Sequence, residues 1–368
     1  MGKVIFFTSS HKLGLTNQLA EQAIVLGERC GKNFLFISGE KEQFPGLFEK
    51  LRNRQVNHVA ITGLDEHKDL FRLVKEFDKY VMRFEPDLIH CHTNWQLAIA
   101  VATKVFFKRD FSIIYTVHGY RHNYKYRSGL ARYLIGLGLL AFADIVIVPS
   151  TFLKNKFSFL DKKAHVLFLG LDREFFDSWE AASFNGTKRV IFPGEFRHRK
   201  NQDLLIRATR RYIDKTGDTN IELYLPGYGK TLGKCRAEAH KLGLGEKVFF
   251  PGLINRDQIM DLYSKCQFAV IPSNVETFGL CIAEPFAFGR VVISRHLGVA
   301  DDIIINGENG FLYHTEDELL ELMIKVFPDE ERCSRVARKA FEGRDVFRWS
   351  NLTEKYLALI DSSVHKKA

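Results

Sequence analysis

The sequence predicts an α/β protein made of two similar lobes, each a parallel β-sheet covered by helices. Three observations predict it. Short apolar strands alternate with helical stretches along the whole chain, the arrangement that parallel sheets require. The pattern restarts near residue 175, which gives two strand-helix series instead of one. The 368 residues, 46% hydrophobic and 26% charged, are enough to build two separate cores. The boundaries read as a first lobe over 1–175, a second over 176–346, and a C-terminal helix over 347–368 that could cross back to the first lobe.

Taken in order, "KVIFFTSS" is a buried strand, since its apolar run is too short for the core of a secretory signal. The loop "SHKLGLT" follows, then the helix "TNQLAEQAIVLGERCG", ended by Gly31. "NFLFISG", "PDLIHCHT", "FSIIYTVHG" and "ADIVIVPS" are strands running into polar or glycine residues. Ligands of open α/β sheets sit off the carboxyl ends of the strands, so the tips His90, His92, His118 and Gly119 stand where chemistry would occur. "KRVIFPGEFRHRKNQDLLIRATRRY" opens the second series as strand, loop and helix. "IELYLPGYGK", "KVFFPGL", "QFAVIPSN" and "RVVISRH" supply its later strands, and "VFRWSNLTEKYLALIDSSVHKKA" reads as a helix with a frayed basic tail.

No run of eighteen apolar residues is present, so no membrane-spanning helix is expected. Six scattered cysteines without paired spacing suit a reducing cytoplasm better than a disulfide framework or a zinc site. The formal net charge is +9, and residues 101–165 hold eleven Lys and Arg against three Asp, a local +8. Such a face could meet anionic lipid, a diphosphate-bearing acceptor or nucleic acid; a merely solvated surface gives the same surplus.

Two tempting motifs fail on spacing. "PGYGKT" lacks the first glycine of a phosphate-binding P-loop, because Tyr224 stands there. The dinucleotide fingerprint also fails, its third glycine falling one residue late at Gly233; Gly227 then belongs to a glycine turn after a strand. "HCH" at 90–92 has no third metal ligand, and no Asp-x-Asp occurs to hold a divalent ion on a diphosphate, so no metal is expected. "GEFRHRKNQDLL" is richer: Gly194 follows a buried strand, and Arg197, Arg199 and Lys200 precede a helix, a natural diphosphate site. A solvated basic loop is its plain alternative.

In "SNVETFGLCIAEPFAFGR" the amides of Thr277, Phe278, Gly279 and Leu280 would open a helix whose positive end suits a phosphate. Glu276 just outside that end and Glu284 inside the helix could accept from hydroxyls on either side of the phosphates, a sugar on one side and a ribose on the other. Two carboxylates bracketing an anion site make sense for a nucleotide sugar, not for phosphate alone.

These motifs together resemble the retaining glycosyltransferases of the GT-B fold, in particular their family four. The resemblance rests on "ETFGLCIAEPFAFG" and "GEFRHRKN" in the second half, and more loosely on "SHKLGLTNQLAEQA", "PDLIHCH" and "TVHG" in the first. It implies a fold of two Rossmann-like lobes with parallel sheets facing a central cleft. It also implies that Glu276 holds donor-sugar hydroxyls, Glu284 the ribose, and Phe278, Gly279 and Leu280 the sugar and diphosphate through backbone. Lys200, with Arg199 or Arg197, would neutralise the departing diphosphate; His118 would sit beside the transferred sugar, and Gly14 would face the diphosphate. The loop Pro251, Gly252 and Leu253 would border the base. Three positions depart from the family pattern: Glu195 where many members have arginine, Leu13-Gly14 for Gly-Gly, and Glu284-Pro285 for Glu-Ala.

The implied reaction is metal-independent transfer, with retention, of a hexose or N-acetylhexosamine from UDP in preference to GDP. The acceptor would be a glycan or a lipid-linked sugar in bacterial surface-polysaccharide or lipopolysaccharide assembly, with no cofactor beyond the donor. The expected location is cytoplasmic, or peripheral on the inner face of the membrane. The rivals are a sugar-nucleotide epimerase or hydrolase of the same fold, and a non-enzymatic carbohydrate- or nucleic-acid-binding protein. A binding module has no use for the donor constellation, and nucleic acid is not expected as a partner.

Overall fold

In this computed structural model of the protein, residues 2–8, 13–40, 47–66, 68–118, 138–160, 162–177 and 182–364 are described. The chain divides into two compact units, Met1–Gly170 with Trp349–Ala368, and Leu171–Arg348.

Unit 1 holds a parallel seven-stranded sheet among its described residues, in the order β3-β2-β1-β4-β5-β6-β7. Its strands are β1 Val4–Phe7, β2 Phe34–Gly39, β3 His58–Ile61, β4 Leu88–Cys91, β5 Ser112–Thr116, β6 Ile145–Val148 and β7 Ala164–Val166. The inner strands are apolar on both faces because helices cover both, which is why they read as unbroken hydrophobic runs. One face packs against the Leu70–Phe84 and Asn94–Phe106 helices through Leu73, Phe77, Leu97 and Ile99. The other packs against the Leu13–Cys30 helix and, from the far end of the sequence, the Trp349–Val364 helix. Leu352, Tyr356 and Ile360, spaced four apart, form that last helix's buried stripe. The loop read as "SHKLGLT" is shorter than expected: the first helix begins at Leu13, so Gly14 lies in its first turn. The side-chain surroundings of Gly14, and all of residues 119–137, lie outside the described part.

Unit 2 repeats the plan with six parallel strands ordered β10-β9-β8-β11-β12-β13. They are β8 Lys188–Ile191, β9 Ile221–Tyr224, β10 Val248–Phe249, β11 Phe268–Ile271, β12 Val291–Arg295 and β13 Phe311–Tyr313. Both sheets therefore wind outward in two directions from a central pair, β1 with β4 and β8 with β11. Between such a pair, the crossovers leave toward opposite faces and open a crevice at the carboxyl ends, where ligands of this architecture bind. Among the described residues no helix is long and apolar enough to cross a membrane.

Candidate functional site

The crevice of unit 2 is built by the segments that follow β8 and β11. After β8 the chain runs through Phe192, Pro193 and Gly194 into a short 3₁₀ turn, His198–Lys200, before the Gln202–Thr216 helix. After β11, residues 272–279 lead into the Leu280–Ala287 helix. The two loops are tied together: the Asn274 amide donates to the Arg199 carbonyl at 2.8 Å, and the Asn201 side chain to the Pro272 carbonyl at 3.3 Å.

That junction brings Lys200 and Glu276 into contact across 76 positions of sequence. Lys200 Nζ lies 2.5 Å from Glu276 Oε1, with the two side chains only 12% and 11% exposed. Ser273 Oγ donates to the same carboxylate oxygen at 2.7 Å. The Cys281 thiol, pushed up by burial and so kept protonated, donates to it at 3.7 Å. Burial pulls the Lys200 pKa down, but the Glu276 charge and hydrogen bond outweigh it, so the ammonium is held above its ordinary range. Arg197 instead pairs with Glu195 at 2.5 Å, and Arg199 is exposed. Of the three cations read from "FRHRK", Lys200 is thus the one built into the crevice.

The helix start at Leu280 is made by backbone shape. Gly279 takes a left-handed conformation, φ +96°, and its carbonyl accepts from Ile282 and Ala283. The amides of Leu280 and Cys281, ahead of those bonds, have no acceptor within their own helix. Behind this turn Gly298 is packed so closely that a β-carbon there would stand 2.2 Å from the Phe278 carbonyl oxygen, which accepts from the Val299 amide at 2.7 Å. The Phe278 ring is core, edge-on to Phe347.

Glu284 lies one turn inside the same helix in a second polar cluster. Its carboxylate accepts from Tyr263 Oη at 2.9 Å and Arg256 Nη1 at 3.3 Å, and Arg256 Nη2 reaches Asp172 at 2.7 Å. Burial pushes the Glu284 carboxyl up, and Arg256 and Tyr263 only partly offset it, leaving it above the usual carboxylate range. Arg256 is presented by a capping box, Asn255 and Gln258 each bonding the other's backbone amide at 2.9 Å.

The glycine turn at Gly227 is a backbone contact. A β-carbon at Gly227 would fall 2.0 Å from the Gly194 carbonyl oxygen. The Gly194 amide donates to Pro226, the Gly227 amide to Gly252, and the Phe196 amide to Tyr228, all within 2.7–3.0 Å. Three loops are zipped into one floor, with Pro251, Gly252 and Leu253 at its end. Pro251 lines an open groove of about 420 Å³ with Phe250, Ile254 and Gln258, and Leu253 is 74% exposed.

In unit 1 the crevice holds histidines. His92 follows β4, its amide donating to the Phe7 carbonyl at 3.3 Å, and His118 follows β5. His92 Nδ1 and His118 Nε2 are 2.9 Å apart. His90 is buried behind them between Thr116 Oγ1 at 2.7 Å and Tyr356 Oη at 2.6 Å, and its burial, with the nearby His118, holds its pKa well below the usual histidine range. Among the described residues no group of three His, Cys, Asp or Glu is placed to hold a metal ion.

Sequence reasoning did not single out Ser273, Tyr263, Arg256 or Gly298. Ser273 stands three residues before Glu276 in the quoted motif, a spacing that could have marked it. The other three come from separate stretches and carry no local signal.

The family model described as "Glycosyl transferases group 1" matches residues 174–343, and "Glycosyltransferase Family 4" matches residues 36–175. An uncharacterised glycosyltransferase of Methanocaldococcus jannaschii is 27% identical over 268 residues, 72% of each chain. The uncharacterised glycosyltransferase YqgM of Bacillus subtilis is 26% identical over 83% of this chain and 90% of its own. Among solved structures, HepE of Anabaena in complex with UDP superposes with a TM-score of 0.79 at 19% identity, covering 98% of this chain and all of that one. With two family matches that together run from residue 36 to 343 and this doubly repeated Rossmann-like fold, the chain is a glycosyltransferase of the GT-B type.

Proposed function

We propose that the protein is a retaining, metal-independent glycosyltransferase that moves a hexose or N-acetylhexosamine from a UDP-sugar to a glycan or lipid-linked acceptor. The observation that carries the donor half is the buried Lys200–Glu276 pair beside the first-turn amides of the Leu280–Ala287 helix. A buried ammonium and a helix N-terminus both favour a diphosphate, and their field falls where negative charge grows as the donor bond breaks. A metal ion is unnecessary for that charge if Lys200 supplies it. Glu276 would exchange part of its present bonding for sugar hydroxyls, and Glu284, fixed by Tyr263 and Arg256, would receive the ribose. Gly14, Gly194, Gly227 and residues 277–280 would present backbone, and Pro251, Gly252 and Leu253 would border the base. HepE of Anabaena has been solved with UDP and with UDP-glucose, which supports the choice of UDP.

His118 would touch the transferred sugar. Retention would follow from departure and attack on one face, the leaving diphosphate taking the acceptor's proton. A lipid-linked acceptor, as in lipopolysaccharide or surface-polysaccharide assembly, is supported by the surface of unit 1. Exposed Phe106, Phe142 and Phe159 lie just before β5, β6 and β7, neighbours in the sheet, so all three stand at its amino edge among Lys104, Lys108, Lys162 and Lys163. Apolar rings among lysines suit peripheral contact with an anionic membrane. Within the basic stretch 101–165, "TFLKNKFSFLDKK" contributes Phe159, while most of "KYRSGLARYLIGLGLL" lies outside the described residues.

Titration calorimetry with UDP- and GDP-sugars tests the donor reading. Lys200→Ala and Glu284→Ala should each weaken UDP-sugar binding by about 1.5–3 kcal/mol with the fold intact, the worth of a charge-assisted hydrogen bond. Unchanged affinity in both variants sinks the assignment.

A further inference from the structure

We propose that His92 is a positioning residue for His118, fixing the tautomer and ring orientation with which His118 meets the sugar; this rests on the role given to His118 above. The bond between His92 Nδ1 and His118 Nε2, at 2.9 Å, requires one proton between two ring nitrogens. When both rings are neutral, one must donate and the other accept, so the tautomer of each dictates that of the other. A flip of the His118 ring would put carbon where Nε2 now sits and break the bond.

His92 is well fixed for such a task. It is 2% exposed, with its ring 4.1 Å from Phe6 and 4.0 Å from His90, centre to centre. His90 is itself pinned at both nitrogens, by Thr116 and by Tyr356 from the Trp349–Val364 helix. Burial keeps His90 neutral, so it places no competing charge beside the pair. The His118 ring lies nearly parallel to His92, 22° apart with centres 5.2 Å away. The series Tyr356, His90, His92, His118 thus runs from fully buried rings to a partly exposed one at the crevice. A partly buried imidazole is backed by closely packed, hydrogen-bonded rings, which suits a group that must hold one geometry. A purely packing role for His92 would be served as well by phenylalanine.

That difference is the test. His92→Phe keeps the ring and its tilted contact with Phe6 but removes the nitrogen; His92→Asn returns an amide near the Nδ1 position. With UDP-sugar and acceptor, His92→Phe should lower kcat about tenfold to a hundredfold, as a misplaced contact group does. The KM for the donor and the thermal midpoint should stay near the unaltered protein's, and His92→Asn should recover most of the rate. Independently of any activity, ¹⁵N-histidine spectra should show His118 as a single tautomer in the full protein and as a mixture in His92→Phe. Wild-type turnover in His92→Phe, no gain from His92→Asn over His92→Phe, or unchanged His118 nitrogen shifts would each overturn the proposal. Absence of sugar transfer by the unaltered protein would defeat the parent reading instead, with the nitrogen spectra still deciding the pairing.

Discussion

Replacing Lys200 by methionine leaves the Glu276 carboxylate in place with its main counter-charge gone. The two groups are 2.5 Å apart and about nine-tenths buried, so water can supply little in exchange. With charge centres about 4 Å apart and an effective dielectric near 20, their attraction is roughly 4 kcal/mol. Ser273 and Cys281 remain as neutral donors and soften the loss. Lys200→Met and Glu276→Gln should therefore each destabilise unit 2 by about 3–5 kcal/mol, the cost of orphaning one member of a buried pair. The double variant should be far less damaged, because removing both charges also removes both desolvation penalties. For a domain of this size each kcal/mol moves the melting point by about 2–4 °C, so calorimetry should show drops of roughly 6–20 °C in the single variants. Because Lys200 is raised in the folded state, its contribution is complete below the ordinary lysine pKa and disappears as pH climbs through the raised value. Urea titration at neutral pH is thus the clean measurement. Single losses under about 1 kcal/mol that simply add in the double variant would mean a solvated pair, and the reasoning from burial would fail.

Other outcomes follow from the same geometry. Glu284 is raised in the folded protein, so the native state keeps that proton longer and loses stability as pH rises from the usual carboxylate range through the raised value. The melting difference between Glu284→Gln and the unaltered protein should then shift toward the variant with rising pH; a difference flat in pH contradicts the burial. Gly227→Ala should cost about 1–3 kcal/mol and weaken nucleotide binding, since its methyl would meet the Gly194 carbonyl; an undisturbed variant shows that the loop floor yields easily. Transfer activity should survive EDTA, and loss restored by manganese would overturn the assignment of diphosphate charge to Lys200. Anionic vesicles should sediment the protein at low salt and release it at high salt, with Phe142→Ser/Phe159→Ser weakening capture; no capture at low salt would leave the basic surplus merely solvated.

The inner strands were legible because a strand covered on both faces is an unbroken apolar run, as in "VIFF", "IVIV" and "FAVI". β3, β7 and β13 were not, and all three are short edge strands. With one side unpaired and burial incomplete, "HVAI" and "AHV" have no pattern that separates them from loop. In the site, both glutamates and Lys200 stood out through local spacing to glycines and a helix start. What could not be read was which charge faces which: "FRHRK" offers three cations, and the loop ties of Asn274 to Arg199 and Asn201 to Pro272 bring Lys200 to Glu276. Tyr263 and Arg256 reach Glu284 from a helix that announces only its own cap. The three histidines were visible as strand tips, but the hydroxyl of Tyr356, 266 positions away, was not.

The Trp349–Val364 helix has a bearing on how the chain is made. Unit 2 is one uninterrupted stretch, whereas unit 1 is closed by residues that follow it. On the ribosome, the second sheet can finish folding while the first still lacks the cover that Leu352, Tyr356 and Ile360 give to its Leu13–Cys30 face. Until that helix emerges, His90 has Thr116 at one nitrogen and no tyrosine at the other, and an apolar strip of the first sheet is open to chaperones or to neighbouring chains. Emergence of that helix, not completion of the first 170 residues, is the moment at which the histidine end of unit 1 acquires its native form.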